Sequence, residues 1–539
     1  MNRLTTSTIT TFILIGIYFN SNAQTWQKSF SAGNTDVNGE FLGGSEVLNL
    51  VGHKKKLYAS VGYWEDETNV WYGGSNPNLG WGQIICLDSA DGTWKEDLDM
   101  GASHLRPEIL KEVIFTNDAQ GSPLTSPDTL LIAATYSPNY FTSTVSARAF
   151  TRNDSTGTWE QTLIYQGGFP AGENYSIRDM QVYTDQITGV EQLYISVGTK
   201  GIFTGVYDPN ITGKIQWNSI PEFGPVNIRP LGITSVNNAL YFSSGNKLYK
   251  RNDGINPTYL VAHDFSDLNS NINSAVGGIR GLTAISNPNG NNEALLLMWC
   301  PNGQSQGVIY RLEPDDTGGF NRMYEAKISQ VVEGYLPGTN VSYLLGAYNE
   351  FYEFEDPTNN EKYHIIGIEA SISGGNYPTW NGFYRGGMFV KRDNNMQYIL
   401  EEINGLIGTN DTALVANRCY IKSPFDNDDA IYFGGFDPNG NTSTNMAWIY
   451  KKDYQTNSVG ELLQQECNVS VFPIPAFDFL NVETKSNECN QYEIISILGK
   501  TLQSGIVCSG KQIIDVSELS SNIYFIRIGN EIVKFIKID

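Results

Sequence analysis

The sequence has few of the residues that build metal centres and catalytic sites. It contains four histidines and six cysteines in 539 residues, and no two cysteines form a C-x-x-C pair. This argues against a zinc site. The H-E-x-x-H, G-x-S-x-G, P-loop and EF-hand signatures are also absent, so no common hydrolase or nucleotide-binding motif is present.

Positive charge is scarce as well. Lys and Arg number 35 against 57 Asp and Glu, which gives a net charge of -22. A chain this acidic is repelled by phosphate backbones, so we expect no nucleic-acid partner. Local basic clusters remain compatible with this balance.

Long apolar runs are missing except at the N-terminus. Arg3 precedes an apolar stretch over residues 12–17, and the small residues Ser21, Asn22 and Ala23 follow it. This pattern predicts a signal peptide over residues 1–23. Because no run reaches the length of a transmembrane helix, we expect the mature protein to be exported and soluble.

The residues that are abundant favour an all-β protein. Aromatic residues make up 12% of the chain and glycines number 54, whereas charged residues make up only 17%. This mixture is typical of many short strands and turns.

A weak repeat organises residues 24–454. Seven segments each run through three short strands into a polar turn, and residues 86–94 and 153–159 are near copies of that turn. The spacing of roughly 50 to 75 residues predicts a seven-bladed β-propeller, with six or eight blades as alternatives. The seventh repeat lacks a fourth strand, and residues 26–30 supply a spare one that would close the ring.

One position near the start of each repeat's first strand is charged or aromatic. It is occupied by Glu46, Arg106, Arg178, Arg229, Arg280, Tyr343 and Arg418. Because the first strand of a blade lines the central channel, we expect these side chains to face a common axis. Five guanidinium groups in one place repel one another unless anions or carboxylates lie between them. The pattern predicts an anion site, with pairing to neighbouring acids such as Glu108 and Asp179 as the alternative.

Aromatic loops are expected at the same mouth of the channel. They carry Trp64, Trp71, Trp81 and Trp380. Flat ring faces suit sugar rings, so these residues are predicted to bind ligand. Packing of the rings on one another to hold the loops is the alternative.

Two residues are candidates for proton transfer. His104 stands two positions before Arg106, which on a strand places both on the channel face, and Tyr343 occupies a channel position itself. No cofactor is expected. The acidic turns over residues 426–429 and 437–441 offer oxygen ligands for surface calcium, although such turns usually only face water.

The last seventy residues or so differ in character from the rest. They contain Phe472-Pro473-Ile474-Pro475 with Asp478 and Leu480, then Ile497-Leu498-Gly499-Lys500, residues 514–519, residues 523–526 and a terminal Val533-Lys534-Phe535-Ile536. This order of motifs resembles the type A C-terminal sorting domain of the type IX secretion system of Bacteroidota. Two positions depart from that family, which usually has Pro-Asn-Pro at residues 473–475 and often has Gly at Asn522.

The resemblance implies a small β-sandwich over residues 467–539, joined to the propeller by a linker over residues 455–466. It further implies that the outer-membrane translocon of this system is a partner. The cargo would then be released or attached to the cell surface.

Three functions fit these features. The first is a secreted or cell-surface propeller that binds an anionic or glycan ligand at its loop face and channel mouth. The second is a polysaccharide lyase or another glycan-active enzyme that uses the channel arginines with His104 or Tyr343. The third is an adhesion or scaffold module. A propeller by itself does not choose among them.

Overall fold

The computed structural model divides the chain into two compact units, residues 1–456 and 457–539. It describes residues 26–63, 81–101, 104–139, 144–168, 176–273, 277–302, 307–357, 359–402, 416–436, 445–454, 469–472, 476–484, 489–496, 500–529 and 531–538.

The N-terminal unit is a seven-bladed β-propeller. It opens with β1 (Trp26–Ser31), β2 (Asn34–Thr35) and β3 (Phe41–Leu42). Blade 1 comprises β4 (Glu46–His53), β5 (Lys56–Gly62), β6 (Gln83–Leu87) and β7 (Lys95–Asp99). Blade 2 comprises β8 (Ile109–Asn117), β9 (Pro123–Asn139), β10 (Thr144–Asn153) and β11 (Thr158–Gly168).

The next three blades repeat this four-stranded antiparallel order. Blade 3 comprises β12 (Met180–Thr184), β13 (Glu191–Val197), β14 (Gly201–Tyr207) and β15 (Ile215–Trp217), with a 3-10 turn at Gly198–Lys200. Blade 4 comprises β16 (Pro230–Val236), β17 (Ala239–Ser244), β18 (Lys247–Asn252) and β19 (Thr258–Asp264). Blade 5 comprises β20 (Gly278–Ser286), β21 (Glu293–Cys300), β22 (Val308–Pro314) and β23 (Phe320–Lys327).

Blade 6 is less regular. A helix, α1 (Ile328–Tyr335), precedes it. Its first strand is split into β24 (Thr339–Gly346) and β25 (Tyr352–Asp356), which both pair with β26 (Glu361–Gly374). The blade continues through β27 (Thr379–Trp380), β28 (Phe383–Tyr384), β29 (Phe389–Arg392) and β30 (Tyr398–Glu401).

Blade 7 is closed by the two ends of the propeller sequence. It comprises β31 (Ala416–Lys422), β32 (Ala430–Phe436) and β33 (Trp448–Asp453). Strand β1 pairs antiparallel with β33, as the sequence predicted, and Trp26 packs edge-on against Phe433 with ring centroids 4.5 Å apart. Because the first chain segment completes the last blade, β33 is not left as an exposed edge.

The hydrophobic pattern follows each strand's place in its blade. The second strands β5, β21 and β32 are buried along nearly their whole length, because neighbouring blades cover both of their faces. The outermost strands β11 and β19 are mostly exposed or half-buried. This gradient explains why the second strand of each repeat is the most apolar segment.

The first strands of the seven blades surround a channel. A cavity of about 390 Å³ inside it is lined by residues from every blade, including Leu50, Leu110, Asp179, Leu231, Leu282, Phe351 and Cys419. The first strands of blades 1 to 5 and 7 therefore lie next to one another around a common axis, and the split first strand of blade 6 completes the ring.

The C-terminal unit is a β-sandwich. One sheet contains β34 (Val469–Phe472), β35 (Phe479–Thr484) and β38 (Gly510–Asp515), and the other contains β36 (Asn490–Ser496), β37 (Thr501–Val507), β39 (Asn522–Ile528) and β40 (Glu531–Lys537). Leu480, Ile494, Ile526 and Phe535 are buried between the sheets.

One disulfide links Cys489 to Cys508 in the C-terminal unit. The sequence left the pairing open. Cys86 and Cys419 are buried thiols of the propeller, and Cys467 lies outside the described residues.

Candidate anion-binding site at the channel mouth

Five arginines from five blades meet at the start of the first strands. We call Arg106, Arg178, Arg229, Arg280 and Arg418 the arginine cluster. Burial lowers the pKa of Arg178 well below its usual value, and the other four guanidinium groups lower it further. Shared contacts join three of these groups, because Arg106 and Arg418 both donate to Glu46 and the guanidinium groups of Arg280 and Arg418 both lie against the Tyr348 ring.

Part of the cluster is neutralised by buried carboxylates. Glu46 is fully buried and accepts hydrogen bonds from Arg106 Nη1 at 2.9 Å and from Arg418 Nη1 at 2.6 Å. Glu108 accepts from Arg106 Nη2 at 3.2 Å and from the backbone N–H of Ile177. Acid pairing, the alternative weighed from the sequence, therefore accounts for Arg106 and Arg418.

Arg178 and Arg229 are in a different situation. Arg178 donates from Nη2 to the carbonyl oxygen of Tyr348 at 3.4 Å and forms no ion pair with any described residue. Arg229 donates from Nη1 to the hydroxyl oxygen of Ser176. Burial, followed by the charge of Arg280, lowers the pKa of Arg229 to about 10. The positive charge of Arg178 is thus held in an unfavourable environment that an anion would relieve. For Arg229 the charge of Glu108 acts in the opposite direction and raises the pKa.

Blade 6 contributes Tyr348 rather than the predicted Tyr343 to the centre of the cluster. The Tyr348 ring lies 5.0 Å from the Arg280 guanidinium and 5.2 Å from that of Arg418, which are cation–π contacts. The hydroxyls of Tyr348 and Tyr343 both donate to Glu369 Oε1, at 3.1 and 3.0 Å. Sequence reasoning missed Tyr348 and Glu369, although Gly346 and Asn349-Glu350 interrupt the apolar run there.

The charged positions are not strictly equivalent in register. The first strands β4 and β31 each carry an irregularity, and the extra residue is Leu48 in β4 but Arg418 itself in β31. Glu46 therefore stands two residues earlier along its strand than Arg418 does. This offset brings the Glu46 carboxylate within hydrogen-bonding distance of Arg418.

The structure does not support the argument that placed His104 in the channel. The prediction assumed that His104 lies on a strand, but β8 begins only at Ile109. The His104 ring instead lies edge-on to Phe150 in the third strand of blade 2, with centroids 5.6 Å apart. Tyr343 is half-buried, and burial together with Glu369 raises its pKa. Its phenol therefore stays protonated.

The aromatic loop residues are only partly described. Trp81 is half-buried, whereas Trp64 and Trp71, and the side chain of Trp380, lie outside the described residues. The same holds for the acidic turn over residues 437–441, and in the other acidic turn Asp426 accepts from Lys55 Nζ at 2.6 Å. No metal-binding group of three or more His, Cys, Asp or Glu residues occurs in the described part of the chain.

The mouth of the channel is rich in positively charged groups. Five guanidinium groups face three carboxylates, those of Glu46, Glu108 and Glu369, among the described residues. Guanidinium groups bind carboxylate, sulfate and phosphate through paired N–H donors. The hydroxyls of Ser176, Tyr343 and Tyr348 lie beside them as further polar groups.

Comparison with known proteins identifies the C-terminal unit. Residues 470–538 match the family model of the secretion system C-terminal sorting domain. The C-terminal unit is a type IX sorting domain. Such a tail implies export of the chain to the cell surface or the medium. In the part of the chain that the structure describes, no helix is long and apolar enough to cross a membrane.

Several solved structures are distantly similar to this chain. An α-L-arabinofuranosidase mutant from Fusarium graminearum, bound to an iminosugar inhibitor, is 11% identical with a TM-score of 0.37, covering 80% of this chain and 97% of its own. A complex of the Fusarium enzyme with arabinobiose is 11% identical with a TM-score of 0.35, covering 79% and 97%. A family 43 arabinoxylan arabinofuranohydrolase from Bacillus subtilis is 11% identical with a TM-score of 0.24, covering 92% of each chain.

Scores this low carry no argument about function. No curated protein matches the chain. The case for a function must therefore be made from the residues of the channel mouth.

Proposed function

We propose that this exported propeller binds an anionic glycan and that the carboxylate of an acidic sugar sits in the arginine cluster. The observation that carries the proposal is the unequal charge at the mouth, where five guanidinium groups face three carboxylates and Arg178 has no ion pair among the described residues. A ligand carboxylate would supply the missing negative charge.

The surroundings of the cluster favour binding of a specific anion over attraction of anions by the overall charge of the protein. The whole chain carries a net charge of -22, so its mean field repels anions and only a local arrangement can attract one. The cluster is also recessed, since Arg280 and Arg418 are 3% and 6% exposed. In such a site guanidinium–carboxylate hydrogen bonds are less weakened by water than on the surface.

The test is a titration of the full mature chain by calorimetry. Oligogalacturonides supply carboxylates, a sulfated oligosaccharide supplies the other oxyanion, and neutral arabinan and cellulose oligosaccharides supply neither. We expect binding to the oligogalacturonides and none to the neutral sugars. Arg229→Gln should weaken binding roughly 10- to 100-fold, as expected for a hydrogen bond between charged groups.

The matched control is the same change outside the channel. Arg322 pairs with Asp267 on the outer part of blade 5, so Arg322→Gln should leave the affinity unchanged. Equal weakening by both changes would reject the cluster as the binding site. Stronger binding to the sulfated probe would move the proposal from uronates to sulfated sugars.

A lyase is the second candidate, favoured by the phenols of Tyr343 and Tyr348 beside Arg280. A lyase removes the proton next to the sugar carboxylate and expels the glycosidic oxygen, which then takes up a proton. The raised pKa of Tyr343 suits a proton donor better than a base. An ultraviolet absorbance from the unsaturated product, lost in Tyr343→Phe, would favour the lyase over the binding protein.

If the chain shows neither the absorbance nor binding to any sugar of the panel, an adhesion or scaffold module remains as the proposed function. In every case we propose that residues 1–23 direct export and that the translocon reads the sorting domain. A chain truncated before residue 467 should then be retained in the periplasm, and its appearance in the medium would contradict this route.

A further inference from the structure

An enlarged bulge interrupts the first strand of blade 6. Gly346 pairs with Ile368 and Tyr352 pairs with Ile365, so residues 347–351 stand opposite only Ile366 and Gly367. Five residues opposite two cannot stay in the plane of the sheet, and the surplus must project from it. We call residues 347–351 the channel bulge.

The contacts of the channel bulge show where it projects. The Asn349 side chain donates to the carbonyl oxygen of Leu48 in blade 1 at 2.8 Å, and Lys111 of blade 2 donates to Glu350 at 2.9 Å. Blades 2 and 6 are not neighbours in a ring of seven. The bulge therefore extends into the channel.

Two further blades contact the same segment. Arg178 of blade 3 donates to the Tyr348 carbonyl at 3.4 Å, and the Phe351 N–H donates to Thr283 Oγ1 of blade 5 at 2.8 Å. Gly281 leaves room for it, since a Cβ there would lie 2.7 Å from the Cβ of Ala347. With blades 1 and 2, four blades hold the bulge across the channel.

The bulge crosses the channel beside the arginine cluster. Tyr348 lies against Arg280 and Arg418 on the side of the cluster. Asn349, Glu350 and Phe351 line the cavity of about 390 Å³. That cavity is also lined by Val51 and Lys111, and by Arg178 and Arg418 of the arginine cluster. The channel bulge thus crosses the pocket at the mouth and lies across the way through the channel.

We propose that this pocket takes the terminal acidic sugar of a chain and not an internal one, an inference that rests on the proposed function. A polymer cannot thread past a segment held by four other blades. An internal sugar continues in two directions, so both continuations would have to leave by the same opening of a pocket ringed by seven strands. A terminal sugar has one continuation, and its carboxylate can reach the recessed guanidinium groups.

The test measures stoichiometry against chain length. The full mature chain is titrated with galacturonic acid, a short oligogalacturonide and long polygalacturonate. End binding predicts a constant number of protein molecules per sugar chain, whatever its length. It also predicts that galacturonic acid competes with the oligomer, because one sugar carries the recognised groups.

The outcomes separate this proposal from the function on which it rests. A number of bound proteins that grows in proportion to chain length overturns end binding while leaving anion binding intact. No binding to any probe, or binding that Arg229→Gln does not weaken, overturns the proposed function itself. Constant stoichiometry with competition by the monomer, both lost in Arg229→Gln, supports the two together.

Discussion

The propeller uses arginine in two places with opposite consequences. In the third strands of the blades, Arg152, Arg251, Arg311 and Arg392 are each buried or nearly so and form ion pairs with acids, and Arg311 and Arg392 share Glu325. Although burial opposes charge on Arg251, its hydrogen bond to Glu222 and pair with Asp185 raise its pKa above the usual value. In the channel, burial and like charges lower the pKa of Arg178.

The difference teaches how to separate a structural arginine from a functional one. Arg251 forms ion pairs with Asp185, Glu222 and Asp253 at 2.6 to 2.7 Å, and so its charge is fully compensated within the fold. The arginine cluster shares three carboxylates among five groups. A shortage of acids, and not the presence of arginine, marks the candidate site.

The largest expected effect comes from breaking a compensated arginine. Arg251→Met should destabilise the protein by about 3–5 kcal/mol, because it leaves buried carboxylates without their partner. Chemical denaturation of the full chain measures this loss. As a control, Arg322→Met removes a partner from Asp267, which is 59% exposed, and should cost less than about 1 kcal/mol. Equal losses would remove the distinction between buried and surface pairs.

Stability should also depend on pH through His364, which lies on β26. Burial, followed by the charge of Arg392, lowers the pKa of His364 from 6.5 to about 4. Because the folded state resists protonation, its stability is complete above pH 6.5 and falls as the pH drops towards 4. The full difference is about 3 kcal/mol. His364→Gln should flatten the curve in this window, and parallel curves for the two proteins would contradict the assignment.

An uncompensated arginine should respond in the opposite direction. Arg178→Gln relieves like-charge repulsion in the ligand-free cluster, so we expect stability to stay level or rise by up to about 1 kcal/mol. Denaturation curves at neutral pH compare it with Arg251→Met. A loss as large as that of Arg251→Met would mean that Arg178 is structural.

The smallest effect concerns anions in solution. Sulfate that occupies the cluster should raise the midpoint of thermal unfolding by about 1–2 °C at concentrations near its dissociation constant. Sodium chloride at the same ionic strength is the control for screening. The difference between the two salts should shrink in Arg178→Gln. An equal response of both proteins would mean that sulfate acts elsewhere.

The fold was largely predictable because its signals are local. Alternating apolar strands, copied turns and the spare strand over residues 26–30 indicated seven blades, and the structure has seven with β1 in the closing position. The order of motifs in the tail likewise indicated the sorting domain that the family model matches.

The site was only partly predictable because it depends on register. The weak repeats predicted the positions of the arginines. One extra residue in a strand, however, turns every later side chain to the opposite face of the sheet. Alignment of the seven repeats therefore predicted Tyr343 at the channel position of blade 6, whereas Tyr348 is the residue that lies against Arg280 and Arg418. It also put His104 on a strand that had not yet begun.

The sequence alone indicated a propeller of seven blades, with six or eight as alternatives, and it indicated the closing strand and the sorting domain, because each rests on patterns within a few tens of residues. Tertiary structure alone decided which charges compensate one another and that residues 347–351 bridge the channel. Those facts depend on contacts between blades far apart in the chain, such as Glu46 with Arg418. A repulsive group of arginines and a bridged channel arise only when all seven first strands meet at one axis.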